Sequence, residues 1–65
     1  MKLTVNGESH EVSAGTLAAL LAELDYEGGW LATALNGEVV PARDRDGCAL
    51  SEGDRVEILA PMKGG

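Results

Sequence analysis

Two Asn-Gly pairs set the first constraint on this chain. Asn6-Gly7 and Asn36-Gly37 each stand between short stretches in which apolar residues recur. Asn-Gly is the dipeptide that best tolerates the positive φ angles of a two-residue type I′ turn, and that turn joins two antiparallel strands with matching twist. In "KLTVNGESHEV", Leu3 and Val5 alternate with Lys2 and Thr4, the period of a half-buried strand. The return stretch ends at Val12; by alternation His10 shares its face and is expected as a sheet-edge residue. "WLATALNGEVVP" reads as a second pair of strands about Asn36-Gly37, closed by Pro41, which has no N–H to give a ladder. Its apolar run from Trp30 to Leu35 is nearly continuous, as in a strand buried on both faces or one whose outer face is kept for a partner. Trp30 is expected as an anchor in the core or at its edge.

One helix lies between the hairpins. Leu17, Leu20, Leu21 and Leu24 fall at i, i+3, i+4 and i+7 and form a single stripe. The helix is expected over residues 16–25, with Thr16 as N-cap and Gly28-Gly29 as the stop. A helix this short does not hold by itself, so its leucines need a sheet. Turn signals at Asp46-Gly47 and in "SEGD" then lead to a last strand, "RVEIL". Val56 and Ile58 share one of its faces; Arg55, Glu57 and Leu59 share the other. The order is ββαβββ, an α+β pattern whose layered solution is one helix across one mixed sheet. With the helix between the second and third strands, the first and last strands are free to pair in parallel at the centre. The expected core is Leu3, Val5, Leu17, Leu20, Leu21, Leu24, Val56 and Ile58.

Composition excludes several classes. The 65 residues make one domain, 1–65, and a domain of that size buries only about 60% of the surface its unfolded chain exposes. Cys48 and His10 are the sole members of their types, so neither a disulfide nor a zinc-like ligand set is available. A single cysteine fits a reducing compartment, and the expected location is cytoplasmic; Cys48 is expected as a small buried apolar residue. An apolar fraction of 45% is too high for a disordered tail. The apolar runs fall far short of the roughly 20 residues of a membrane span, and no signal peptide is visible. Eleven acids against five bases give a net charge of −6. That disfavours nucleic acid and would steer the protein to a basic partner surface. No Cys–His–Asp set, phosphate-binding glycine loop or paired-acid cleft can be drawn, so the chain is not expected to be an enzyme by itself.

Three segments carry a further likeness: "NGEVVPAR" (36–43), "LSEGDRVEIL" (50–59) and "PMKGG" (61–65). Together they resemble the ThiS family, the sulfur carriers of thiamin biosynthesis. The resemblance implies a ubiquitin-like β-grasp body with residues 60–65 as a flexible Gly-Gly tail. It implies that the Gly65 carboxylate is adenylated by a ThiF-like enzyme of the ubiquitin-activating type, which uses the ATP; no cofactor is expected on the chain itself. Sulfur from a persulfide donor then gives a terminal thiocarboxylate, which serves a ThiG-like thiazole synthase. The residues implied in partner contact are Leu59, Pro61, Met62, Lys63 and Gly64. Pro61 would stiffen the exit from the last strand, and glycines at 64 and 65 keep the thread slim. Leu59 reads either as part of a docking patch on the open sheet face or as an ordinary exposed leucine. In the family an arginine follows the proline of the "VVP" segment directly. Here Ala42 intervenes, and Arg43 and Arg45 compete for the place. Three other readings share the pattern: the small subunit of molybdopterin synthase, a carrier for another sulfur pathway, and a β-grasp interaction module with an incidental tail.

Overall fold

The computed structural model describes residues 1–26 and 30–60. Strands β1 (Lys2–Val5) and β2 (Glu8–Glu11) precede helix α1 (Leu17–Glu23); β3 (Ala32–Leu35), β4 (Glu38–Val40), a 3-10 turn (Ala42–Asp44) and β5 (Arg55–Leu59) follow. The five strands form one sheet in the order β2-β1-β5-β3-β4. β1 and β5 are parallel at its centre, with Val5 level with Val56, and the other pairings are antiparallel. This is the β-grasp arrangement the sequence led us to expect.

Both Asn-Gly turns adopt the backbone the dipeptide permits. Asn6 and Gly7 have φ of 50° and 83°, Asn36 and Gly37 51° and 87°. The helix starts as expected: Thr16 Oγ1 accepts from Ala19 N at 3.2 Å. Two more of its otherwise unpaired first-turn N–H groups are met by the long connection after β4, Leu17 N donating to Cys48 O and Ala18 N to Arg45 O. The helix ends earlier than Gly28-Gly29. Asp25 takes the left-handed conformation at φ 63°; its N–H bonds Ala22 O, and the next N–H, of Tyr26, reaches back to Leu21 O. That pair of bonds is a Schellman cap, with aspartate in the position glycine usually fills. Residues 27–29 lie outside the described residues.

The leucine stripe faces the sheet. Leu17 and Leu20 are fully enclosed, and Leu21 is buried; Leu24, at the C-terminal end of the stripe, is half-buried. Leu3, Val5, Val56 and Ile58 meet them, joined by Val12, Ala14 and Leu50. Burying such a side chain contributes about 1.5–3 kcal/mol. His10 sits on the edge strand β2 and is half-buried. Cys48 is half-buried against the core, not enclosed in it. Trp30 departs from expectation: it stands in a turn ahead of β3, where strand alternation does not apply, and is 82% exposed. The half-buried Leu31 and Leu35 pack against the core in its stead.

Candidate functional site

β5 alternates as its sequence requires. Val56 and Ile58 point into the core, while Arg55, Glu57 and Leu59 are exposed on the opposite face. The register then determines what surrounds Leu59 there. Leu59 is level with Ala32, Glu57 with Ala34, and Ala34 with Val39 on the outer strand β4. Residues level with one another in adjacent strands present their side chains to the same face. Leu59, Ala32, Ala34 and Val39 therefore share the face away from the helix. They line, with Glu57 and Thr33, a shallow depression of about 140 Å³. Leu59 is 72% exposed and Val39 79%. Together with Trp30 these are the exposed large apolar residues among the described residues. Trp30 precedes β3 by two residues, and β3 starts level with the end of β5, so Trp30 stands near the Leu59 end of the sheet. Leu59 thus stands with other apolar side chains on the open sheet face rather than alone. β3, whose apolar run is nearly continuous, is not buried on both faces: its helix-side Thr33 is buried, and its outer side, at Ala32, is open.

Thr33 is the polar residue under this patch, and it is satisfied. Its hydroxyl donates to Val40 O at 2.8 Å and accepts from Arg45 Nε at 3.1 Å. Arg45 Nη2 also donates to Leu31 O at 2.6 Å. Arg45 is buried and Arg43 exposed. Of the two arginines that competed in the sequence, Arg45 is thus the one built into the fold, where it ties the connection after β4 to the strand that forms the patch.

A groove of about 470 Å³, wide open, runs past Val40, Pro41, Arg43, Asp44 and Cys48. The Cys48 thiol has no histidine beside it, because His10 lines a separate hollow with Glu8 and Tyr26 at the opposite edge of the sheet. No group of three metal-binding side chains occurs among the described residues, and no helix there is long and apolar enough to cross a membrane. Pro61, Met62, Lys63, Gly64 and Gly65 lie outside the described residues. The described chain reaches Ala60, one residue past the end of β5.

The ThiS family model matches residues 3–65. The chain belongs to the ThiS family. The match takes in the open-face patch, Arg45 and the Gly64-Gly65 pair together. Solved structures agree. The crystal structure of the thiamine biosynthesis protein ThiS of Geobacter metallireducens superposes with a TM-score of 0.83 at 35% identity, covering all of both chains. The solution structure of a Geobacter metallireducens thiamine biosynthesis protein gives the same score and identity, over all of this chain and 88% of that one. A thiazole synthase of Paramagnetospirillum magneticum is 41% identical over 66 residues. This ThiS-family chain spans about a fifth of that relative's length.

Proposed function

We propose that this chain is a sulfur carrier for the thiazole part of thiamin, with the carboxylate of Gly65 as its acting end. The observation that carries the reading is the family match, which runs through residue 65 on a body with an apolar open face. A C-terminal carboxyl has a pKa of about 3.3–3.7, so at neutral pH it is an anion and a poor electrophile. Attack of that carboxylate on the α-phosphorus of ATP, with pyrophosphate leaving, gives an acyl adenylate. The terminal sulfur of a persulfide then attacks the acyl carbon and AMP leaves; thiol attack on the resulting acyl disulfide frees the thiocarboxylate. Both steps belong to partners: an activating enzyme of the ubiquitin-activating, ThiF-like type and a persulfide donor. The acceptor is a ThiG-like thiazole synthase, a reading supported by the relative of that name.

Two parts of the chain have separate tasks in this scheme. The patch at Leu59 and Val39 docks the body, and the residues after β5 deliver the carboxylate. Ordering chain in a partner's channel costs about 1–2 kcal/mol per residue, so docking of the body must offset it. The test is the intact mass after incubation with ATP, the cognate activating enzyme and a persulfide donor. The expected product is heavier by the difference between one sulfur and one oxygen. Removal of Gly65, or extension by one alanine, should prevent the gain, because one residue moves an extended chain by about 3.3–3.6 Å while reacting atoms must meet within about 3–3.5 Å. An unchanged mass for the intact chain, with no ATP–pyrophosphate exchange, would return the domain to the class of interaction modules.

A further inference from the structure

β5 is held at both ends by asparagine side chains, one from each hairpin turn. At its start, Asn36 Oδ1 accepts from Arg55 N at 2.9 Å, and Asn36 Nδ2 donates to Asp54 Oδ1 at 3.1 Å. Toward its finish, Asn6 Oδ1 accepts from Ile58 N at 2.8 Å while Asn6 Nδ2 donates to Ile58 O at 3.1 Å. The second contact has a particular logic. Along the β1 side of β5, Thr4 N donates to Asp54 O and Asn6 N to Val56 O, the even spacing of a parallel ladder. The next rung would need a carbonyl for Ile58 N–H and a backbone N–H two residues beyond Asn6. The chain does not supply them, because it turns back at Asn6-Gly7 into β2. The Asn6 carboxamide provides both groups from one side chain and adds a rung to the ladder.

We propose that Asn6 is a positioning residue for the acting end: its carboxamide fixes where β5 leaves the sheet, and so the reach from the Leu59 patch to Gly65. The inference rests on the carrier reading above. On the β3 side, Leu59 is still held level with Ala32; on the β1 side, Asn6 is the contact that reaches Ile58. Without it, the last residues of β5 are anchored on one side only, and the chain beyond them starts from a less defined point. Docking of the body would be kept, since Leu59 stays paired with Ala32 and most of the patch belongs to β3 and β4. Placement of the carboxylate would suffer instead.

The test uses the full chain with its cognate activating enzyme, in ATP–pyrophosphate exchange run below each variant's melting transition. Asn6→Gly removes the carboxamide and tolerates the φ of 50°. Asn6→Asp keeps the acceptor but puts a second oxygen where the donor faced Ile58 O, so it should be defective to an intermediate degree. Asn36→Gly is the matched control, since it removes the corresponding contact at the opposite end of β5. For Asn6→Gly we expect faster amide exchange at Ile58 and kcat lowered about tenfold or more, the scale that small misplacements of reacting groups reach, with KM within about twofold of wild type. Asn36→Gly should lose stability yet keep kcat. Unchanged kcat in Asn6→Gly, equal kcat losses in both glycine variants, or a rise in KM alone would overturn the positioning role. Wild type that exchanges no pyrophosphate would overturn the carrier reading and this one with it; normal exchange by wild type and Asn6→Gly alike overturns the positioning role only.

Discussion

Arg45 donates from Nε to Thr33 Oγ1 at 3.1 Å, and the same hydroxyl donates onward to Val40 O at 2.8 Å. One guanidinium thus braces β3 and β4 where they form the apolar face. Arg45→Ala removes that donor and leaves Leu31 O without it. Hydrogen bonds from charged groups and the cost of stranding their partners are each about 1–3 kcal/mol, so a loss of about 2–4 kcal/mol is expected in urea unfolding. Arg43→Ala, at an exposed site, should stay within about 0.5 kcal/mol of wild type. A larger loss for Arg43→Ala would mean that the two arginines had been assigned the wrong way round, and equal effects that Arg45 braces nothing Arg43 does not.

Leu20 is completely enclosed between helix and sheet. Leu20→Ala should cost about 2–5 kcal/mol in the same assay, the range for emptying a core leucine site. The half-buried Leu24 closes the stripe at its open end, and Leu24→Ala should cost clearly less. The ordering of the two is the informative result, since it reports which end of the stripe lies under the sheet.

Leu59→Asp and Val39→Asp place charge on the open face without touching the core. Each should raise KM for the activating enzyme by about tenfold, equivalent to roughly 1.4 kcal/mol of docking energy. Melting temperature should stay at the wild-type value. A KM unchanged in both variants would remove this face from the docking surface.

Trp30 is the single tryptophan of the chain and its side is turned to water. Its fluorescence should therefore be that of a solvated indole. Trp30→Ala should shift stability by no more than about 0.5 kcal/mol, whereas a core tryptophan replaced by alanine costs about 3–5 kcal/mol. A large loss would restore it to the core.

Local rules made most of the fold legible. Asn-Gly announced both hairpins, the leucine spacing announced the helix and its buried face, and alternation gave β5 residue for residue. What stayed hidden depended on contacts between distant segments. Arginine is rarely buried, and Arg45 is buried here because a long connection packs its guanidinium against β3. The helix stop moved to Asp25 because a Schellman cap formed before the glycines were reached. Trp30 misled because hydrophobicity alone does not say whether a residue has entered the strand. For the candidate site, Leu59 was legible from alternation, but Val39, Ala32 and Ala34 joined it only through the register of three strands. The second role of Asn6 was hidden behind its first, since a turn residue gives no sign of what its side chain will pair with. The expectations for residues 61–65 fall outside the described residues.

The parallel pairing of Val5 with Val56 also bears on how the protein comes to exist. The first strand to be synthesised waits, apart from its hairpin partner, for the last one. Contacts this far apart in sequence slow folding, because loop closure precedes the gain from pairing. The central strand of the sheet is therefore among the last to find its place, and Leu59 takes its position beside Ala32 only when it does. Until β5 is in place the open face lacks Leu59, and the short helix has no complete sheet to cover its leucines.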